Sequence, residues 1–214
     1  MKLAILLCIP FFLGNSAWTI KEYENYTYES FYEREDVNQK IDNNNFDAAL
    51  LEAALFYATN EIRLAKKKPI FSFHKVLLKS SQIHSAEMEK RNFFDHNNRK
   101  NRRLKKLSQR IAKAGGGFSS FGENLAMVNI YNLGKKGTYF VNKEGEIVNQ
   151  KGSPLQIKTY KELAVYVVDK WMHSKGHREN ILRDYSFMGC GVSKLISGKD
   201  GIPEVLITQN FGKK

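Results

Sequence analysis

The sequence predicts an α+β fold in which helices cover an antiparallel sheet, and three observations lead to this class. Segments with apolar residues at helical spacing outnumber the segments that read as strands. The last two predicted strands, 187–196 and 204–211, are neighbours in the chain and are joined by a turn at 197–201. The 214 residues are 42% apolar, which is enough for a buried core. Helices together with adjacent strands favour a helix-covered sheet.

The first 17 residues are predicted to be a secretory signal rather than part of the fold. Lys2 precedes an apolar run from Leu3 to Leu13, and small residues end at Ala17, the predicted cleavage site. The run is shorter than the ~20 apolar residues that span a bilayer, although an uncleaved anchor stays open. The protein is therefore expected to be secreted, periplasmic or held in the cell envelope.

Residues 18–45 are predicted to form a polar tether in front of the domain, which is assigned to 46–214. The tether holds seven acidic and three basic residues and has no amphipathic period. Residues 46–214 hold 30 basic and 15 acidic residues, so the net charge of +12 arises from the predicted domain. This excess suggests an anionic partner or surface without identifying one.

Four segments of the domain carry apolar residues at helical spacing and are predicted to be helices. They run from a cap at Asn45 or Asp47 to Pro69, from His74 to Arg91, from Arg99 to Lys113, and from Thr159 to Ser174. The third is strongly basic, and the fourth carries Trp171 on its apolar face. Residues 134–152 between them predict a β-hairpin. Cys190 is expected to be buried on an inner strand, without a disulfide partner once Cys8 is removed with the signal.

Histidines are the first candidates for chemistry. His84 shares an apolar stripe with Leu77 and Met88 and is expected in the core, and His74 is expected to start a helix. His173 and His177 have the spacing of a zincin pair. No Glu follows the first of them, and Gly176 is expected to end the helix, so a shared zinc site is rejected. His177 is the stronger candidate, because side chains at a helix end can reach a cleft.

Two further stretches place polar side chains beside apolar ones: residues 93–96 (Phe-Phe-Asp-His), which end at His96, and residues 121–125, which contain Glu123. Two imidazoles and a carboxylate can bind Zn²⁺ and leave a fourth position open. They can equally form a hydrogen-bonded cluster without metal. The sequence leaves both alternatives open.

These stretches occur in an ordered set that resembles the bacterial SCP-like branch of the CAP superfamily. That superfamily contains the cysteine-rich secretory proteins, antigen 5 and the plant pathogenesis-related proteins. The motifs of the set lie at 84–88, 93–96, 122–126, 171–182 and 208–212. The resemblance covers about 46–212 and implies a three-layer α-β-α sandwich around a central antiparallel sheet. Relative to the family pattern, this sequence has insertions near 99–117 and 130–157. Both are expected to border the cleft that the family contains.

The resemblance implies which residues line that cleft, which in the family often holds two His and two Glu. By motif, His96 matches the first His, Glu123 the first Glu and His177 the second His. Ser174 stands where the second Glu usually lies. The implied cleft therefore contains these four residues, with a divalent metal such as zinc on His96, Glu123 and His177 as an open option. Loss of the second Glu weakens that option, because a hard-cation site loses a charge.

The leading functional prediction is an exported protein that binds a lipid, sterol, glycan or host molecule in the His/Glu-lined cleft. A metal-dependent hydrolase using His96, Glu123 and His177 is the enzymatic alternative. It is less favoured, because no general base is evident once Ser174 replaces Glu. A second alternative is binding of an anionic polymer by the basic helix 99–113. For an exported protein the expected target is anionic lipid or glycan, and no specific nucleic acid is expected. The oligomeric state stays open.

Overall fold

The computed structural model describes residues 19, 22–23, 25–133, 139–194, 196–198 and 201–214. The signal peptide predicted for 1–17 lies outside these residues. The helices are α1 (Tyr28–Tyr32), α2 (Glu35–Asn38), α3 (Ala48–Ala65), α4 (Lys75–Arg91), α5 (Leu107–Lys113), α6 (Tyr160–His173) and α7 (Lys175–Leu182). The strands are β1 (Ser72–Phe73), β2 (Ser120–Asn129), β3 (Tyr139–Val141), β4 (Ile147–Asn149), β5 (Phe187–Val192), β6 (Ile196–Ser197) and β7 (Pro203–Lys213).

The central sheet has the strand order β1-β5-β7-β2, and the short β6 pairs with β7. Strand β7 lies in the middle and is antiparallel to both β5 and β2. Its register places Asn210 opposite Glu123 of β2, and Gln209 opposite Cys190 of β5. Strand β1 is parallel to β5. The predicted antiparallel sheet is therefore present, with one short parallel strand at its edge.

Helices cover both faces of the sheet and complete the three-layer sandwich. Helix α4 packs on β5 and β7, and α5 packs on α4. This contact is close because Gly189 and Gly191 of β5 lack side chains. A Cβ atom at either position would collide with the α4 backbone at Leu78 or Gln82. On the other face α3 packs on β5 and α6.

The largest apolar cluster joins α3 and α6 to the sheet and contains two residues predicted to be buried. Trp171 of α6 is 2% exposed, and its Nε1 donates to the carbonyl of Leu125 over 2.9 Å. Cys190 is buried and carries a free thiol, and burial raises the pKa of that thiol. His74 caps α4 through its side chain, as its predicted place at a helix start requires.

The prediction of a polar tether at 18–45 is wrong for the part of the segment that the structure describes. Helices α1 and α2 form there, and Phe31 and Val37 are fully buried in the main core. The hydroxyl of Tyr32 donates to the carbonyl of Ala54 in α3 over 2.9 Å. The sequence pattern did not reveal this docking. The segment is acidic overall, and its buried side chains are too few and too widely spaced to produce a helical period.

The single basic helix predicted from Arg99 to Lys113 is also wrong. The chain forms a 3₁₀ turn at Arg102–Leu104 and then the seven-residue α5. The Asn101 side chain caps the 3₁₀ turn. Lys106 then has an extended backbone (φ −98°, ψ 154°), which separates the two elements. Asn is favoured at the start of a helix over its interior, because its side chain hydrogen-bonds to nearby backbone groups. An extended residue such as Lys106 marks the start of a new helix rather than the continuation of the previous one.

Two further expectations about the cleft need correction. Gly176 does not end a helix: α6 ends at His173, Ser174 is extended, and Gly176 lies in the first turn of α7. The predicted hairpin exists as β3 and β4, where Val148 pairs with Pro154, and Ile157 of the same segment pairs with Tyr131, just beyond the far end of β2. Six residues of strand separate Glu123 from that end, which is about 20 Å at ~3.3 Å per residue. The hairpin therefore does not border the site around Glu123.

Candidate functional site

Glu123 lies at the centre of the candidate site. It occupies the fourth position of β2, an outer strand of the sheet. Side chains alternate along a strand, so Glu123 and Leu125 share one face, and Leu125 packs against Met88 of α4. The Glu123 side chain is only 4% exposed. A carboxylate at this depth requires hydrogen-bond donors or a cation.

His96 supplies the first donor. Helix α4 ends at Arg91, and Asn92 takes a left-handed conformation (φ 47°) that reverses the chain into the loop carrying His96. The Nδ1 atom of His96 lies 2.9 Å from Oε1 of Glu123. A carboxylate only accepts, so Nδ1 carries the proton. The His96 side chain is 53% exposed, so this pair joins a buried carboxylate to an imidazole that solvent can reach.

Arg110 holds the second carboxylate oxygen. Its Nη2 donates to Oε2 of Glu123 over 2.7 Å, and its Nη1 donates to the carbonyl of His96 over 3.2 Å. The Arg110 side chain is fully buried. Asn210 of β7, with its amide nitrogen turned towards Glu123, also donates to Oε2 over 3.0 Å. Arg110 lies in the 99–117 insertion, so this insertion forms part of the site.

Sequence reasoning missed the role of Arg110, although a signal was present. Arg110 stands three residues after Leu107 and four before Ala114, both on the apolar stripe of the predicted basic helix. An arginine on the buried side of a helix requires a buried acid or carbonyls. Glu123 is such an acid.

His84 lies under the site, in α4. It is fully buried, and its Nε2 donates to the carbonyl of Asp95 over 3.0 Å. The same Nε2 is 3.8 Å from Oε1 of Glu123. Its Nδ1 has no hydrogen-bond partner within the described chain. The core position predicted for His84 is therefore correct, but no local pattern in the sequence indicated that His84 neighbours Glu123.

Helix α7 places His177 beside the same strand. The side chain of Asn124 in β2 donates to the carbonyl of His177 over 3.2 Å, and Asn180 donates to the carbonyl of Glu123 over 3.1 Å. His177 is half-buried and close enough to His96 for the charge of His96 to affect its pKa. Ser174 lies at the junction of α6 and α7, in a shallow surface depression with Asp169. No contact among the described residues joins Ser174 to Glu123.

The three histidines and the glutamate differ in charge state. Burial opposes ionisation of Glu123, but the His96 hydrogen bond and the Arg110 charge hold its pKa below the usual value. The same hydrogen bond raises the pKa of His96 against the effect of burial. Burial lowers the pKa of His84 to about 4, and burial with the His96 charge lowers that of His177. The site thus contains one carboxylate, one guanidinium and an imidazole that protonates readily.

A three-ligand zinc site on His96, Glu123 and His177 does not fit this arrangement. Both oxygens of Glu123 accept hydrogen bonds from protein donors, and one of these donors is the cationic Arg110. Arg110 already balances the charge of the carboxylate, and a guanidinium 2.7 Å from the would-be ligand opposes a divalent cation. In the part of the chain that the structure describes, no group of three or more His, Cys, Asp and Glu side chains could hold a metal ion.

Comparison with known proteins bears on the family and the fold. The model of the cysteine-rich secretory protein family (CAP) matches residues 56–211. The structure is similar to an extracellular protein containing a SCP domain from Bacillus anthracis, with a TM-score of 0.52 and 22% identity over 77% of this chain and 40% of that one. It is also similar to an outer surface protein from Borrelia burgdorferi, with a TM-score of 0.50 and 17% identity over 83% and 98%.

This chain spans less than half of the Bacillus anthracis protein. The search of curated proteins gave no match. At these identities the structural likeness establishes the fold alone. None of the helices that the structure describes is long and apolar enough to cross a membrane.

Proposed function

The chain belongs to the cysteine-rich secretory protein (CAP) family, and on this premise we propose that it is an extracellular or cell-surface binding protein. In this proposal the cleft around His96, Glu123 and His177 holds a ligand by an anionic group. Two observations support the location. Residues 1–17 have the pattern of an export signal. The two similar solved structures are described as an extracellular protein and an outer surface protein.

The observation that carries the anionic ligand is the His96–Glu123–Arg110 arrangement. Glu123 is already neutralised by Arg110 at 2.7 Å, so protonation of His96 adds a positive charge at an accessible position. Ser174 adds no compensating carboxylate where family members often carry Glu. Charge-assisted hydrogen bonds to imidazolium are stronger than neutral ones. The cleft therefore favours a carboxylate, sulfate or phosphate group over a cation or a neutral sterol.

An array of sulfated, carboxylated and neutral glycans, probed at pH 6 and pH 8, tests this function. Because the pKa of His96 is raised, binding of an acidic glycan should strengthen as the pH falls through that value. His96→Gln should remove the pH dependence. His173→Gln is the matched control, since His173 is exposed and pairs with Asp169 outside the cleft. Equal binding of acidic and neutral glycans, or a pH dependence unchanged in His96→Gln, would contradict the proposal.

A second candidate, binding of an anionic polymer, is favoured by the surface beside the cleft. The insertion that buries Arg110 exposes seven other cations: Arg99, Lys100, Arg102, Arg103, Lys105, Lys106 and Lys113. A sulfated polysaccharide such as heparin would meet both this surface and the cleft. Replacing Arg102, Arg103, Lys105 and Lys106 with Ser should elute the protein from heparin at lower salt. A control with three scattered exposed lysines changed (Lys79, Lys90 and Lys175) should elute near the wild-type position.

No hydrolytic step is proposed for this site. The metal-dependent alternative needed a zinc ion on His96, Glu123 and His177, and the guanidinium of Arg110, 2.7 Å from Glu123, opposes a divalent cation there. Without a metal, the hydrogen bond between His96 and Glu123 orients the His96 imidazole. Among the contacts of the described residues, no nucleophilic side chain adjoins this pair.

A further inference from the structure

A cavity of about 540 Å³ is lined by residues of helix α3, strand β1 and the segment before α3. Its volume falls in the range of about 300–1,000 Å³ that is typical of small-molecule sites. Among the described residues that line it, more than half are aromatic, and Glu29 is the only one that carries a charge. The exposed lysines at 66–68 lie outside this lining. The cavity therefore combines several aromatic rings with one carboxylate.

The aromatic rings of the wall are held at fixed angles to one another. The ring of Phe56 is perpendicular to that of Tyr23, with 5.3 Å between centroids, and nearly perpendicular to that of Phe73 at 6.2 Å. Tyr23 in turn stacks on Phe73 at 4.0 Å. The hydroxyl of Tyr57 donates to the carbonyl of Tyr23 over 3.2 Å, which fixes this segment on α3. Ring faces therefore point in more than one direction, and each face carries the negative part of the ring quadrupole.

Two carboxylates make this part of the surface negative. The exposed Glu29 accepts a hydrogen bond from the hydroxyl of Tyr28, which holds the pKa of Glu29 below its usual value. Glu29 is therefore ionised at neutral pH. The hydrogen bond to Glu29 raises the pKa of Tyr28, and the charge of Glu61 on α3 adds to this effect, so Glu61 also lies near this ring. These charges attract a cation to the cavity and repel an anion.

Two polar side chains of the wall are already engaged within the protein. Asn60 exchanges two hydrogen bonds with the backbone of Phe71, at 2.8 and 3.0 Å. The hydroxyl of Tyr26 accepts from Nη1 of Arg34 over 2.8 Å, and Arg34 is itself ion-paired with Asp36 at 2.6 Å. A primary ammonium has three N–H groups that need acceptors, whereas a quaternary ammonium has none. The wall therefore suits a quaternary ammonium better than a primary one.

We propose that this aromatic cavity binds a small organic cation, a quaternary ammonium group attached to an apolar body. The ammonium lies against the rings around Phe56, with Glu29 as its counter-ion. Attraction between a cation and ring faces is stronger where the cation is withdrawn from water, as it is among these rings. Leu64 and Ile70, which line the cavity and are 46% and 54% exposed, contact the apolar body. The family match begins at residue 56, so Glu29 lies outside it.

Isothermal titration calorimetry with phenyltrimethylammonium and tert-butylbenzene tests this site. The two probes have nearly the same shape, and only the first is charged. Saturable binding is expected, about tenfold tighter for the cation, because the rings and Glu29 act on its charge. Equal affinity for the two probes would overturn the proposal. The test does not involve the cleft around His96, so its failure would leave the proposed function intact.

Two variants separate recognition of the charge from apolar burial. Phe73→Leu keeps an apolar side chain but removes one ring, so it should weaken the cation about threefold to tenfold and change tert-butylbenzene little. Glu29→Gln should weaken the cation about twofold to fivefold. Glu33→Gln is the matched control, since Glu33 is an exposed glutamate of the same segment outside the lining. The ratio of the two affinities is the readout, because a loss of folding would weaken both probes alike.

Other results would also overturn the proposal. A ratio that stays unchanged in Phe73→Leu or in Glu29→Gln would show that the ring or the carboxylate does not recognise the charge. Tighter binding of 2-phenylethylammonium or of octanoate than of phenyltrimethylammonium would assign the cavity to a primary amine or to an anion. Sedimentation with phosphatidylcholine vesicles, without binding of the free cation, would assign it to a membrane surface.

Discussion

Glu52 is a buried carboxyl group through which pH acts on the stability of the fold. It is buried between α3, α4 and β5, where it accepts hydrogen bonds from Gln82 (2.8 Å) and from the backbone amide of Val192 (3.1 Å). Burial raises its pKa to about 8 from an ordinary value of 4.5. A raised folded-state pKa gives stability that is fully present below pH 4.5 and is lost as the pH rises through about 8.

Glu52→Gln should therefore flatten this part of the stability profile. The amide preserves an acceptor for Val192 and cannot ionise. Urea unfolding should be measured at pH 5, 7 and 9 for both proteins. As the pH rises, the free energy of unfolding of the wild type should fall relative to that of the variant. Parallel profiles across this range would contradict the pKa assigned to Glu52.

Arg110 gives a second residue-scale prediction, since it is the cation paired with a buried carboxylate. Arg110→Met leaves Glu123 without that cation and should cost about 3–5 kcal/mol of stability, measured by urea unfolding. The double variant Arg110→Met/Glu123→Gln should recover much of this loss, because no charge remains buried. Lys113→Met, an exposed position on the same helix, is the control. A single variant as stable as the control would show that the pair contributes little.

At the scale of elements, the docked segment before α3 is the least expected part of the fold. Phe31 stacks on Tyr57 at 4.3 Å between ring centroids and has no exposed surface. Phe31→Ala should cost about 3–5 kcal/mol, as for other buried aromatic residues. The thermal midpoint should then fall by roughly 6–20 °C. Phe140→Ala, at an exposed position of β3, should leave the midpoint nearly unchanged, and an equal effect of both changes would refute the docking.

The outer edge of β2 supports a further prediction, because side chains of two helices cover its outward carbonyls. Trp171 donates to the carbonyl of Leu125, and Asn180 donates to that of Glu123. Trp171→Phe keeps an aromatic ring but leaves a buried carbonyl unpaired, which should cost about 1–3 kcal/mol. Trp171→Ala should cost about 3–5 kcal/mol. Chemical unfolding measures both, and near-native stability of Trp171→Ala would exclude a core role.

How far these elements could be read from the sequence depended on the length of each apolar pattern. Helices α3, α4 and α6 each sustain their stripe for 14 residues or more and were predictable to within a few residues. Helix α7 was missed, because it has only eight residues and contains Gly176. Strand β2 was noticed only as the mixed polar and apolar stretch 121–125, since its two faces meet different layers and its alternation is broken by polar Glu123 and Asn124.

At the scale of the whole molecule, the candidate site depends on contacts that no local pattern encodes. Ordered motifs indicated His96, Glu123 and His177, and the structure places His96 and Glu123 in direct contact. Arg110 and Asn210 reach the same carboxylate from an insertion and from the central strand. Their convergence follows from the register of β2 with β7 and from the packing of α5 on α4. The sequence pattern could indicate that Arg110 is buried, but only the three-dimensional structure shows that its partner is Glu123.

The central position of β7 also sets the order in which the sheet can assemble. Strands β5 and β2 have β7 between them, and β7 is the last of the described strands in the chain. The ribosome synthesises β2 about 80 residues before β7, so β2 cannot pair with β7 until the end of synthesis. Most sheet contacts are consequently distant in sequence, which slows folding. Any chaperone or translocation machinery that acts on the nascent chain meets it before the sheet has closed.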